Sequence, residues 1–269
     1  MKVAAWRAVF RSRLQWRSMN TPIEVSEEHG VRYLHFGSSW VQGAMRIARP
    51  WSLELSYTRE MMAALLLRSD RDWPRTVLSI GLGSASLTKF IYRHRPRAKQ
   101  TVIEIAPQVV AAARQFFKLP YDPARVQIEI ADGLSYVAGT RRRFDLILVD
   151  GFYADACAGA FNTLPFYLLC RSRLSEHGVL AVNLLRRHRA HKIGIATLGN
   201  AFAGRAIAFP TNDEGNTIAF AAAGKTIRLS FEMLVARAER LKHETGLNLM
   251  PVLQRWMTQQ VATQNMLHL

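Results

Sequence analysis

The sequence predicts an α/β fold: a doubly wound, mostly parallel sheet of seven strands, with a small antiparallel β subdomain at its N-terminal side. Three observations carry this expectation. From Thr76 onward, short apolar runs alternate with helical stretches, the pattern of a sheet covered by helices on both faces. The runs are continuously apolar, as burial on both sides requires. Upstream, scattered apolar residues between glycines read as short hairpin strands.

Taken in order, residues 1–21 form a basic tail carrying Trp6, Phe10 and Trp16. The tail lacks the uninterrupted apolar stretch of a secretory signal. Residues 22–70 form the small β subdomain and a linking helix. There Val25, Val31, Tyr33, Leu34, Phe36 and Val41 read as extended, Gly30 and Gly37 fall at turns, and Pro50 marks a boundary. Residues 53–67 are helix-forming, with Met61, Met62, Leu65 and Leu66 along one side.

The third region, residues 71–269, is the nucleotide-type α/β domain. Its expected strands are Val77–Ile80, Thr101–Ile105, Val126–Ile130, Phe144–Val149 and Val179–Leu184. Helical stretches fall at 86–93, 107–118, 134–138 and 163–174. Ala206–Phe209 and Thr217–Ala222 are expected to close the sheet as an antiparallel pair. Residues 231–267 read as helical with a break near Pro251.

Composition narrows the class. With 49% hydrophobic and 21% charged residues in 269, the chain can bury a large core without metals or disulfides. Cys157 and Cys170 lack metal or disulfide spacing and suit a reducing, cytoplasmic setting. No metal ligand set and no membrane span are expected. The formal charge is +16. Its local clusters, Arg141 to Arg143 and Arg186, Arg187, Arg189 with Lys192, lack aromatic interleaving, which argues against a dedicated nucleic-acid surface.

The chemistry concentrates at strand ends. The first buried strand runs into Gly81-Leu-Gly83-Ser84-Ala85 and then a helix. Gly81 permits a tight turn, Gly83 lets a ligand approach the backbone, and Ala85 allows close packing. Alone, the motif leaves a plain strand–helix turn open as the lesser alternative. Glu104 ends the next strand, 21 residues beyond Gly83, where a carboxylate can accept from ribose hydroxyls or stand as a solvated strand end. Asp132, followed by Gly133, is placed either to accept from an exocyclic adenine amine or to cap the helix that follows. Asp150 ends the fourth strand. In an open α/β sheet, ligands sit at these carboxyl ends, so the four strand tips converge on one crevice.

The spacing of Gly81–Gly83, Glu104, Asp132-Gly133 and Asp150 resembles that of S-adenosylmethionine-binding transferases, and more narrowly the spermidine synthases, the polyamine aminopropyltransferases. Val41-Gln42 resembles their strand-borne glutamine. Tyr57-Thr-Arg-Glu60-Met61 resembles their tyrosine segment, and Phe161-Asn-Thr-Leu-Pro-Phe166-Tyr167 the segment after their catalytic loop.

The resemblance implies a Rossmann-like, methyltransferase-type sheet and an aminopropyl transfer to an amine such as putrescine. Decarboxylated S-adenosylmethionine, or S-adenosylmethionine itself, would be co-substrate, with no metal and as a homodimer. It implies that Glu104 holds the ribose, that Asp132 holds the adenine amine with Ile105 against the ring, and that Asp150 is the catalytic acceptor. Gln42 and Tyr57 would line the amine channel. Ser84 stands where the family carries an Asp for the aminopropyl ammonium. Tyr153 stands at its second catalytic-loop Asp, with Asp155 two residues on. Two further readings are a methyltransferase acting on a small molecule or RNA, and a nucleoside-binding protein without catalysis.

Overall fold

A computed structural model describes residues 22–37, 40–151, 159–185, 190–209, 215–258 and 266–269. Its N-terminal sheet is an antiparallel meander of β1 (Ile23–Glu28), β2 (Val31–Phe36) and β3 (Val41–Arg46). Gly30 turns β1 into β2 in the left-handed region, at φ +74°. Register between β2 and β3 shifts at Leu34/His35. Helix α1 (Ser56–Met61) tightens into a 3-10 turn over Met62–Leu66, so the helix expected over 53–67 is shorter and ends in a different winding.

The central sheet contains β4 (Thr76–Ile80), β5 (Lys99–Glu104), β6 (Val126–Ile130), β7 (Phe144–Val149), β8 (Leu174–Leu185), β9 (Ala206–Ala208) and β10 (Asn216–Ala222). Their spatial order is β6-β5-β4-β7-β8-β10-β9. The first five run parallel to one another. β10 runs antiparallel between β8 and β9, as expected from the sequence. The connecting helices are α2 (Ser86–His94), α3 (Pro107–Phe116), α4 (Gly133–Gly139), α5 (Leu164–Arg173) and α6 (Ala190–Ala201). The chain leaves β4 for β5 and β6 on one side, then returns to add β7 and β8 on the other. That reversal opens a crevice beyond the carboxyl ends of β4, β5 and β7.

Strand side chains alternate between faces, and the core divides accordingly. Val77, Leu146, Leu148, Val179, Ala181, Ile218 and Phe220 pack on one face under α1, α2 and the C-terminal helices. Leu78, Ile147, Val149, Leu180, Val182, Ala219 and Ala221 pack on the other with Val137, Phe166 and Phe202. The N-terminal sheet is seated by Leu34 and Met45 against Ala112 and Phe117 around α3.

The C-terminal region is α7 (Phe231–Thr245), α8 (Met250–Thr258), and a strand pair of β11 (Arg228–Ser230) with β12 (Met266–His268). Ser230 caps α7 by accepting from Met233 N–H at 3.2 Å, and Gly246 closes it in the left-handed conformation. The break therefore falls at 246–249, and Pro251 lies in the first turn of α8, where its missing N–H costs nothing. The expected helix through Leu267 is corrected. Met266–His268 is extended, because its backbone pairs with β11.

Candidate active site

The glycine loop after β4 is folded against β7. Gly81 has φ +94°, and a β-carbon there would collide with the backbone carbonyl of Asp150. Gly81 N–H donates to Ile103 O at 2.9 Å, and Asp150 N–H donates to Ile80 O at 2.9 Å. These two bonds draw the tips of β4, β5 and β7 together. Gly83 lies beside the Gln42 carbonyl, so β3 of the small subdomain lines the same loop.

Ser84 is buried. Its Oγ pairs with Ser86 Oγ at 2.9 Å, and Ser86 Oγ donates to Ala44 O at 3.2 Å. β3 passes so close that a β-carbon on Gly43 would stand 2.5 Å from Ser84 Oγ. The two hydroxyls stitch the small subdomain to the glycine loop, a role the sequence motif does not disclose.

Glu104 is 8% exposed. One carboxylate oxygen accepts from Leu82 N–H and the other from Ala106 N–H, each at 3.0 Å. Burial pushes its carboxyl above the ordinary range, and surrounding backbone N–H groups from Ala106, Leu82, Ile105 and Gly83 oppose that rise. A carboxylate offers about four acceptor sites, and the Leu82 and Ala106 N–H groups take one on each oxygen. Ile105 is half-buried beside it.

Asp132 caps α4, its Oδ1 accepting from Ser135 N–H at 2.8 Å. Gly133, the first residue of that helix, has Ile80 and Phe161 against its bare α-carbon. Phe161 also covers Gly151, and so spans the tips of β6 and β7.

Asp150 is partly buried at the end of β7. Burial pushes its carboxyl up to about 6, against hydrogen bonds from Asn183 and Tyr57. Asn183 Nδ2 donates to Asp150 Oδ1 at 3.0 Å, and Asn216 Nδ2 donates to Asn183 Oδ1 at 2.9 Å. Tyr57, carried on α1, thus meets Asp150, a contact the sequence reading did not specify. Tyr153 and Asp155 lie outside the described residues, as does Cys157.

A second carboxylate on the same strand shows the contrast. Asp145, at the opposite end of β7, accepts from Arg75 N–H, Thr76 N–H and Ser175 Oγ. It is a structural clasp. Asp150 has side-chain donors only, no backbone amide on its carboxylate among the described contacts, and stands on the crevice edge.

Asn183 and Asn216 were missed as functional residues in the sequence. The available signal was an amide inside an otherwise continuous apolar run, 179–185. A buried polar residue in such a strand must have a partner.

Described residues Gln42, Tyr57, Gly81, Gly83, Ser84, Glu104, Gly133 and Asp150 thus join through direct contacts or shared neighbours in one crevice. Chemically the crevice offers a buried diol acceptor and, on the next strand but one, a carboxylate with a raised proton affinity.

Comparison with known proteins shows the family to which the chain belongs. The family model for the spermine/spermidine synthase domain matches residues 54–190. The polyamine aminopropyltransferase of Chromobacterium violaceum is 38% identical over 225 residues, covering 84% of this chain and 85% of that enzyme. The polyamine aminopropyltransferase of Neisseria meningitidis is 34% identical over 226 residues, with the same coverage. Among solved structures, a probable spermidine synthase from Corynebacterium glutamicum superposes with a TM-score of 0.69 over 85% of this chain and 92% of that chain. At 17% identity this shows the shared fold.

Proposed function

Because the chain belongs to the spermine/spermidine synthase family, we propose that it is a transferase moving an aminopropyl group from decarboxylated S-adenosylmethionine to a small amine such as putrescine. The observation that carries this reading is Asp150 at the tip of β7, one strand away from the glycine loop and two from Glu104. The family resemblance also supports a homodimer acting in the cytoplasm. Among the described residues no helix is long and apolar enough to cross a membrane.

The fit of the nucleoside rests on Glu104. A carboxylate at the tip of the second strand of the sheet suits a pair of ribose hydroxyls, and its negative charge disfavours a phosphate there. The glycines shape the crevice wall: Gly81 admits the Asp150 carbonyl, Gly83 the Gln42 carbonyl, and Gly133 the side chains of Ile80 and Phe161.

In the reaction, the amine's lone pair attacks the methylene carbon next to the sulfonium. The new C–N bond forms as the C–S bond breaks. The electron pair stays on sulfur, which leaves as a neutral thioether. The nitrogen becomes cationic and must shed a proton, and Asp150 Oδ2 accepts it while Asn183 holds Oδ1. Alignment supplies much of the acceleration, since the leaving group needs no protonation. Tyr57, donating to the same carboxylate, sets its orientation from the opposite element. Gln42 lies where β3 meets the loop and would contact the amine chain.

The test is amine-dependent release of methylthioadenosine, alongside calorimetric titration with decarboxylated S-adenosylmethionine and with S-adenosylmethionine. Turnover with putrescine and the decarboxylated form supports the reading. Turnover of S-adenosylmethionine alone, as a methyl donor, overturns it.

A further inference from the structure

Away from the crevice, a solvent-open hollow is lined by Arg68, Arg71, Arg95, Arg237 and Arg240, with Asp70 and Glu244. Leu65 and Leu241 also line it. It lies at the amino-terminal edge of the sheet. Arg68 and Arg71 precede β4, and Arg95 ends the helix that leads into β5. Arg237, Arg240 and Glu244 follow one another at intervals of three and four on α7, so they share a face.

We propose that this hollow is a binding site for a multivalent phosphate anion. Five guanidinium groups against two carboxylates leave a local charge of +3. Of these five arginines, only Arg71 has a carboxylate of the described residues within ion-pair distance, Glu244 at 3.8 Å. Ordinary surface arginines point into water. Here the heads are fixed by the fold. Arg237 Nη1 donates to Leu66 O at 2.7 Å, Arg68 Nε to His177 O at 2.9 Å, and Arg95 Nη1 to His94 O at 2.7 Å. The cost of holding like charges together is visible. Burial lowers the proton affinity of Arg68 and Arg237, and Arg237 and Arg240 respectively lower it further by repulsion.

One donor is left over. Arg68 Nη2 is buried and has no hydrogen-bond partner. A buried donor without an acceptor is costly, so the Arg68 guanidinium gains from turning this nitrogen toward an oxyanion bound in the hollow. The guanidinium fork matches the paired oxygens of a phosphoryl group.

The hollow also reaches the catalytic segment. Leu66, held by Arg237, ends the 3-10 turn that continues α1, and α1 carries Tyr57.

The experiment is calorimetric titration of the full chain with pyrophosphate and, separately, with ADP, for wild type, Arg240→Gln, Glu244→Gln and Arg141→Gln. Arg240 has no hydrogen bond or ion pair among the described residues, so its loss leaves the scaffold intact, as a thermal melt will show. Arg141 is exposed, lies outside the hollow, and carries the same charge. Arg240→Gln is expected to weaken pyrophosphate roughly fivefold or more, Arg141→Gln less than twofold, and Glu244→Gln to tighten it about threefold, as charges at near-surface separations predict. Tighter binding of ADP than pyrophosphate, again weakened by Arg240→Gln, assigns the site to a nucleotide's phosphates. Equal losses in Arg240→Gln and Arg141→Gln, or no binding of either ligand, overturn the proposal.

Discussion

The Asn183 side-chain amide donates to Asp150 Oδ1 at 3.0 Å, and its own carbonyl is held by Asn216 at 2.9 Å. Both asparagines are at least nine-tenths buried, on β8 and β10. Three neighbouring strands therefore act on one carboxylate. The relay keeps one oxygen occupied and opposes the rise in proton affinity that burial imposes.

Removing that donor moves the pH profile. Asp150 accepts a proton only when ionised, so kcat/KM for the amine is expected to rise with pH through about 6 in the wild type. Asn183→Ala raises the carboxyl further and moves this limb upward by about one pH unit, since a hydrogen bond to a charged group is worth roughly 1.5 kcal/mol or more. Asn216→Ala moves it the same way by less. An unchanged limb in both variants contradicts the relay.

Asp150→Asn separates transfer from binding. Transfer is expected to fall about 10²- to 10⁴-fold, the span of a positioned proton acceptor, with nucleoside affinity within about threefold of wild type. Stability gives an independent sign. The Asp150 carboxyl is raised in the folded state, so its contribution is most favourable below about pH 4, is lost as pH rises to about 6, and stays unfavourable above. The asparagine variant should therefore melt higher than wild type at pH 8 and gain less at pH 4, as differential scanning calorimetry will show.

Glu104→Gln tests the ribose clasp. The substitution removes the charge and sets an amide donor against one of the backbone donors of Leu82 and Ala106. Affinity for methylthioadenosine is expected to drop about 10- to 100-fold by calorimetry, in line with loss of charge-assisted hydrogen bonds. Wild-type affinity in this variant would remove Glu104 from the site.

Gly81→Ala tests the loop as architecture. At φ +94° any side chain is strained, and the methyl group meets the Asp150 carbonyl. Strain and overpacking together cost about 2–4 kcal/mol, lowering Tm by roughly 5–10 °C and displacing Asp150 enough to abolish transfer. A Tm within about a degree of wild type would show that the loop yields freely.

Much of this was legible in the chain because periodicity and strand ends are local properties. Continuous apolar runs mark the strands that both cores cover, and the acidic or glycine residue closing each run marks the tips. Met266–His268 escaped because a three-residue strand has too few side chains to show a period, and only its partner, Arg228–Ser230, makes it extended. The second half of the helix expected from Leu53 became a 3-10 turn packed wholly inside the core, where tertiary packing overrides composition.

Sequence alone determined the sheet's identity and the residues standing at its carboxyl edge, because burial pattern and chain order follow from neighbours along the chain. Tertiary structure alone decided the state of Asp150, the Ser84–Ser86 bridge to β3 and the arginine hollow. Each depends on groups tens of residues apart or more, brought within hydrogen-bond reach by strand pairing and helix docking, and electrostatic and hydrogen-bond energies act over distances in space rather than along the sequence.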